Sequence, residues 1–199
     1  GYRPSYMSRK PKPTKGDMEN VRRLVLCHSD ITDITFVKNL KQLEFLYLSC
    51  NHITDITPLA GLTRLEYLNL NHNHITDITP LAGLTQLTDL HLSGTHLTDV
   101  SALAGLRHLR VLRLDHNKLT DVSALAGLTR LESLTLISNN ITDVSALARL
   151  SKLKSIHIGD NKLTDLSPLM GLKRLTFLSV FGNPNLAKTE IEKLKKALP

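Results

Sequence analysis

The stretch Asn71-His72-Asn73-His74, with Asp77 close behind, puts two imidazoles and a carboxylate into one short segment. Those residue types bind zinc or activate water for hydrolysis, so the first question is whether the constellation occurs only once. It does not: "CNHITDITPLAGLTRL" ends at Leu65 and "DHNKLTDVSALAGLTRL" at Leu131. An apolar residue opens a unit at Val21, Leu43, Leu65, Leu87, Leu109, Leu131, Leu153 and Leu175, a period of 22 residues. Repetition on this scale has to be settled before any short motif is read as a site. A catalytic acid has no reason to recur in each unit, so Asp33, Asp55, Asp77, Asp99, Asp121, Asp143 and Asp165 are assigned to turns.

The elements that carry these residues follow from one unit, 65–86. Leu65, Leu68 and Leu70 give the alternation of a short strand with its apolar side inward. Ile75, Ile78, Leu81 and Leu84 then recur at spacing three, which suits a 3₁₀ or tight helical return. One such coil cannot close its own core, so coils must stack. Strands of equal phase then run parallel, about 4.8 Å apart, as the concave side of a solenoid, with the wider returns convex.

The polar constants have structural readings. Asn51, Asn73, Asn117, Asn139, Asn161 and Asn183 share a phase where an inward amide satisfies backbone groups at the turn. Ser29 and Thr95 replace it, which predicts two weaker coils. Thr-Asp at 76–77 and its equivalents suits local hydrogen bonding at the turn. Thr79 is expected as the N-cap of the return, Pro80 as its first residue and Gly83 as its end.

Length and composition set the class. With 199 residues, 41% apolar content and no long apolar run, the expectation is one domain with no membrane insertion. The formal charge of +7 and pI near 9.5 point toward nucleic acid, but part of the surplus sits in Arg3, Arg9, Lys10, Lys12 and Lys15. Residues 1–20 lack an apolar h-region and are expected to form a basic extended arm. Two cysteines, Cys27 and Cys50, are too few for a disulfide framework and favour a reducing, cytoplasmic setting, with a bridge between them geometrically conceivable.

Written out, LxxLxLxxNxITDITPLAGLxx resembles the 22-residue class of leucine-rich repeats, and most closely its bacterial internalin-like branch. The resemblance rests on Leu65, Leu68, Leu70, Asn73 and the 75–84 block, and extends over about 21–184. It implies an α/β architecture: a right-handed leucine-rich repeat solenoid whose concave parallel sheet binds a protein, without enzymatic activity, cofactor or small-molecule substrate. A secretion signal, a helical N-terminal cap and a following immunoglobulin-like domain, all found in internalins, are not seen in these residues. The same repeat class includes a regulatory subunit of a protein phosphatase, kept as an alternative.

A solenoid also needs its ends covered. Residues 185–199 are expected to supply a C-terminal capping helix, with Thr189 and Glu192 as a capping box and Ile191, Leu194 and Leu198 on one apolar face.

Function is expected where units differ and point outward, at the third, fifth and seventh positions. The candidate partner-binding residues are Phe45, Tyr47, Tyr67, Asn69, His91, Arg113, Ile137, His157, Phe177 and Phe181, while Phe36 is assigned to the core. Exposed aromatics beside Arg and His have the composition of binding hot spots. Replacing Tyr47, Tyr67 and Arg113 is expected to weaken partner capture with little effect on stability. His28, Cys50, His72 and His116 form one row and His52, His74 and His96 another, both read as solvated rows holding no metal, whose protonation would make binding pH-dependent. The leading expectation is a monomeric protein-binding scaffold. The alternative is association with nucleic acid or a ribonucleoprotein through the arm and Arg64, Arg107, Arg130, Lys152 and Arg174.

Overall fold

The structure, a computed structural model, describes residues 20–197. The basic arm and Leu198 of the expected helix face lie outside the described residues. Eight three-residue strands follow one another: β1 (Arg23–Val25), β2 (Phe45–Tyr47), β3 (Tyr67–Asn69), β4 (Asp89–His91), β5 (Val111–Arg113), β6 (Ser133–Thr135), β7 (Ser155–His157) and β8 (Phe177–Ser179). They form one parallel sheet in sequence order, each residue paired with the one 22 positions on, as Leu46 with Leu68 and Leu68 with Leu90. A 3₁₀ turn lies between each pair of successive strands, and the helix α1 (Lys188–Ala197) closes the chain.

The leucine pattern explains this geometry. In the third coil Leu65, Leu68, Leu70, Ile75, Leu81 and Leu84 are wholly buried, and Ile78 nearly so. Only the middle residue of each strand points inward, so three residues suffice before the chain must turn. At about 25 cal/mol per Å² of apolar surface, this continuous ladder of leucines is the main stabilising term. The chain has no helix in its described residues long and apolar enough to cross a membrane.

The asparagine ladder is present and its wiring is visible. Asn73 Nδ2 donates to the Leu48 carbonyl of the preceding coil at 2.9 Å and to Leu70 of its own at 3.0 Å. Its Oδ1 accepts from the Ile53 amide at 3.0 Å. Each amide therefore staples two coils in the dry interior, where an unpaired backbone group would be costly.

Three local expectations are corrected. Thr79 is the first residue of its 3₁₀ turn rather than the cap, and it is Asp77 Oδ1 that accepts the Thr79 amide, at 2.8 Å. Pro80 accordingly sits one position deeper than expected. Asp carboxylates take this role in seven successive coils, from Asp33 with Thr35 to Asp165 with Ser167. The Thr79 amide lowers the Asp77 carboxyl, and the Ser101 hydroxyl lowers that of Asp99.

Phe36 is 40% exposed rather than a core residue, because it holds the proline position of the first return, while Ile34 and Val37 beside it are buried. Thr189 lies inside α1, which starts at Lys188, so no capping box forms, and Glu192 accepts instead from Lys195 at 3.1 Å. Leu194 is buried and Ile191 half-buried, so the helix does cover the last coil with its apolar face.

Candidate protein-binding face

The outward residues of the strands are the first and third of each triplet, so the register places equivalent side chains of neighbouring coils one rung apart. In the first four coils this produces a continuous ladder. Arg23 lies over the Phe45 ring at 4.9 Å and the Tyr47 ring at 5.8 Å. Tyr47 stacks on Tyr67 with centroids 4.6 Å apart, and Tyr67 meets His91 edge-on at 5.2 Å. Such cation–π and aromatic pairs orient the rings before any partner arrives. Burial, then the Tyr47 hydroxyl, pushes the Tyr67 hydroxyl up from its ordinary value.

His91 is the member of this face that departs from expectation: it is buried at 8% exposure. Its Nδ1 stands 3.4 Å from the Tyr67 hydroxyl, a long contact, so it supports the tyrosine from below rather than presenting itself. Burial and then the Arg113 guanidinium push its imidazole down to about 4, with Asp89 opposing. It is therefore neutral at neutral pH. Arg23 and Val25, both exposed, complete the face, although neither stood out in the sequence. The signal for Arg23 was its strand phase, and its stacking partner was visible only once β1 and β2 were paired.

The middle of the face is polar and internally bonded. Arg113 is exposed. Asp115 accepts from the Thr135 hydroxyl at 2.7 Å and the Ile137 amide at 2.9 Å, which makes it a connector beyond the strand ends. Asn69 Oδ1 accepts from the Asn71 amide at 3.0 Å, and Asn71 Oδ1 from the Ser93 amide at 2.7 Å. Ile137 lies beyond β6 and is half-buried. Toward the C-terminus His157 stacks on Phe177 at 4.5 Å. Phe177 and Phe181 are about half exposed, at 49% and 54%. The Phe181 ring covers Gly159, where a Cβ would meet it at 2.5 Å, so a larger residue in the preceding coil would displace the ring.

The histidine rows resolve into two causes. His28, Cys50, His72, Gly94, His116, Ser138, Asp160 and Gly182 all have φ between 52° and 66°. The eighth position of every coil is thus left-handed, a conformation in which His and Asp are over-represented among non-glycine residues. The other row stacks outside the turn, His52 on His74 at 5.7 Å and His74 on His96 at 6.1 Å. A shallow cavity of about 440 Å³ runs beneath both rows. Among the described residues no three His, Cys, Asp or Glu side chains converge as a metal site would require. Cys27 and Cys50 are free thiols, with the Ser49 hydroxyl 3.1 Å from Cys27 Sγ.

Comparison with known proteins agrees with this geometry. The family described as Leucine Rich repeats (2 copies) matches residues 63–105 and 107–149, and that described as Leucine rich repeat matches 19–75. The chain belongs to the leucine-rich-repeat family, and within it is internalin-like. The crystal structure of internalin C2 from Listeria monocytogenes is 37% identical, with a TM-score of 0.85, over 93% of this chain and 81% of that one. The structure of an internalin, inlF, from the same organism is 34% identical, with a TM-score of 0.72, over 92% and 67%. A Leptospira interrogans leucine-rich-repeat protein is 25% identical, with a TM-score of 0.68, over 83% of this chain and half (50%) of its own. No curated protein matches the chain.

Proposed function

We propose that this chain is a monomeric, non-catalytic scaffold that binds a protein partner on its concave face, through the Arg23, Phe45, Tyr47 and Tyr67 ladder with Arg113 beside it. Proteins with leucine-rich repeats are commonly interaction scaffolds, and internalin-type homologues are typically non-catalytic. The observation that carries the reading is the stacked ladder itself: the Tyr47 and Tyr67 rings 4.6 Å apart, with the Arg23 guanidinium over Tyr47 at 5.8 Å, on the open side of the sheet. Aromatic and arginine side chains already ordered lose little entropy on binding and dominate interface energies.

The test is the triple replacement Tyr47→Ala, Tyr67→Ala, Arg113→Ala. Partner capture from extracts of the source cells, measured against the native chain, is expected to fall on the order of 100-fold or more. Loss of the stacked pair is expected to cost only about 1 kcal/mol in a urea melt. Undiminished capture by the triple variant would sink the concave-face assignment.

A further inference from the structure

The edge where each return enters its strand has a charge asymmetry that belongs to neither the core nor the concave face. Two phases of the repeat define it. In coils one to three they hold Gln42, Arg64 and Gln86 beside Arg22, Glu44 and Glu66, so cations and carboxylates balance. In coils five to seven the same phases hold Arg130, Lys152 and Arg174 beside Arg110, Glu132 and Lys154, which is five cations around one carboxylate.

Glu132 organises this cluster rather than cancelling it. Its Oε1 accepts from Arg110 Nη2 at 2.6 Å and Nε at 2.9 Å, and its Oε2 from Lys154 Nζ at 2.6 Å. These bonds, from Lys154 first and then Arg110, pull the Glu132 carboxyl down to about 2, so it stays ionised and holds both cations. Arg130, Lys152 and Arg174 are exposed, and among the described residues none of the three meets a carboxylate within ion-pair distance. They succeed one another at single-rung spacing, about 4.8 Å. A shallow cleft of about 250 Å³ opens between Arg110, Arg130, Glu132 and Lys152.

The chemistry of the strip selects among anionic partners. Within coils five to seven neither row holds an aromatic side chain, and His108, one rung before Arg130, is engaged through Nδ1 with the Thr85 carbonyl at 2.8 Å. The strip therefore offers no run of aromatic rings on which successive bases of a single strand would stack. Neither is there an apolar anchor of the kind protein interfaces or membrane surfaces use. What remains is a narrow double row of guanidinium and ammonium donors with hydroxyls beside it from Thr129 and Ser151. That arrangement pairs with fixed anions spaced along a thin hydroxylated polymer, where Arg binds sulfate oxygens in bidentate fashion. We infer that the entering edge of coils five to seven binds a linear sulfated polysaccharide. This site is separate from the concave face and does not depend on it.

The full chain, titrated with a size-defined heparin oligosaccharide at several salt concentrations, tests the inference. The variant Arg130→Glu, Lys152→Glu is expected to lose at least tenfold in affinity near 0.15 M salt and to lower the slope of log K against log salt by about two. Its unfolding midpoint should match the native chain, since both side chains are exposed, and Arg174→Glu alone should give a smaller loss in the same direction. Charge reversal at Lys10 and Lys12 should change affinity less than reversal on the strip. Native-like binding by the strip variant would overturn the inference, as would a single-stranded oligonucleotide or an anionic vesicle of phosphatidylserine binding as tightly as the sulfated chain.

Discussion

Coils three and four have the same apolar skeleton and different polar solutions at the turn. In coil three Asn73 reaches back to Leu48 and Ile53, stapling that coil to the one before. In coil four Thr95 is fully buried but too short: it donates to Leu92 of its own coil at 2.7 Å. No bond of the ladder type reaches the Ile75 amide among the described residues, whereas the equivalent Ile53, Leu97 and Leu119 amides each have one. The backbone responds. His96 adopts φ 69°, and the only other coil without the asparagine shows the same response at Asp30, φ 54°. The first coil has none before it to staple, so its Ser29 loses little, whereas the fourth coil has a seam. The leucines hold the stack together without the amide, and the amide sets how the turn is wound.

Breaking the staple in coil three should have the largest effect. Asn73→Ala removes an amide with buried partners on two coils and is expected to cost about 3 kcal/mol in urea unfolding, against about 1 kcal/mol for Thr95→Ala. Equal costs would mean that the seam is not a distinct feature.

The next effect is pH-dependent and centres on coil four. The folded chain holds the His91 imidazole at about 4, below the ordinary 6.5, so protons bind the unfolded chain more readily. Its contribution is therefore intact above about 6.5, is lost as pH falls and is gone near 4. Roughly 2 kcal/mol should disappear across that window, allowing for partial solvent screening. Melts of His91→Gln between pH 7 and 4 should show a flatter dependence than the native chain.

The smallest effect restores what coil four lacks. Thr95→Asn is expected to stabilise the fold by about 1 kcal/mol and to slow hydrogen exchange at the Ile75 amide, which the new side chain would accept. Unchanged exchange at Ile75 would show that the seam has another cause.

The period, the parallel sheet and the identity of the core residues were legible in the sequence because each is imposed by an apolar pattern repeated with no insertion. The inward asparagines and the turn aspartates were legible for the same reason, though Thr79 is the first residue of the return rather than its cap, and its amide is accepted by Asp77. Individual departures were less visible. From the sequence Phe36 is assigned a core phase, yet it stands at the phase of Pro58 and Pro80 on the outer return and is exposed. His91 reads as exposed by its phase, yet it is buried, with Tyr67 of the preceding coil packed against it. Arg23 became part of the aromatic ladder only when its cross-strand neighbours were fixed.

What the sequence determined by itself is therefore the fold, since a leucine in a 22-residue repeat finds the same environment in every coil and needs no distant information. The tertiary structure decided what neighbouring coils do to one another. Stacking of Tyr47 on Tyr67, burial of His91, the left-handed turn behind His72 and the grouping of Arg110 and Lys154 around Glu132 all join residues of different coils or depend on how the turn is wound. Most of these contacts span about one repeat in sequence but only one rung in space, and that short distance through the sheet sets their strength.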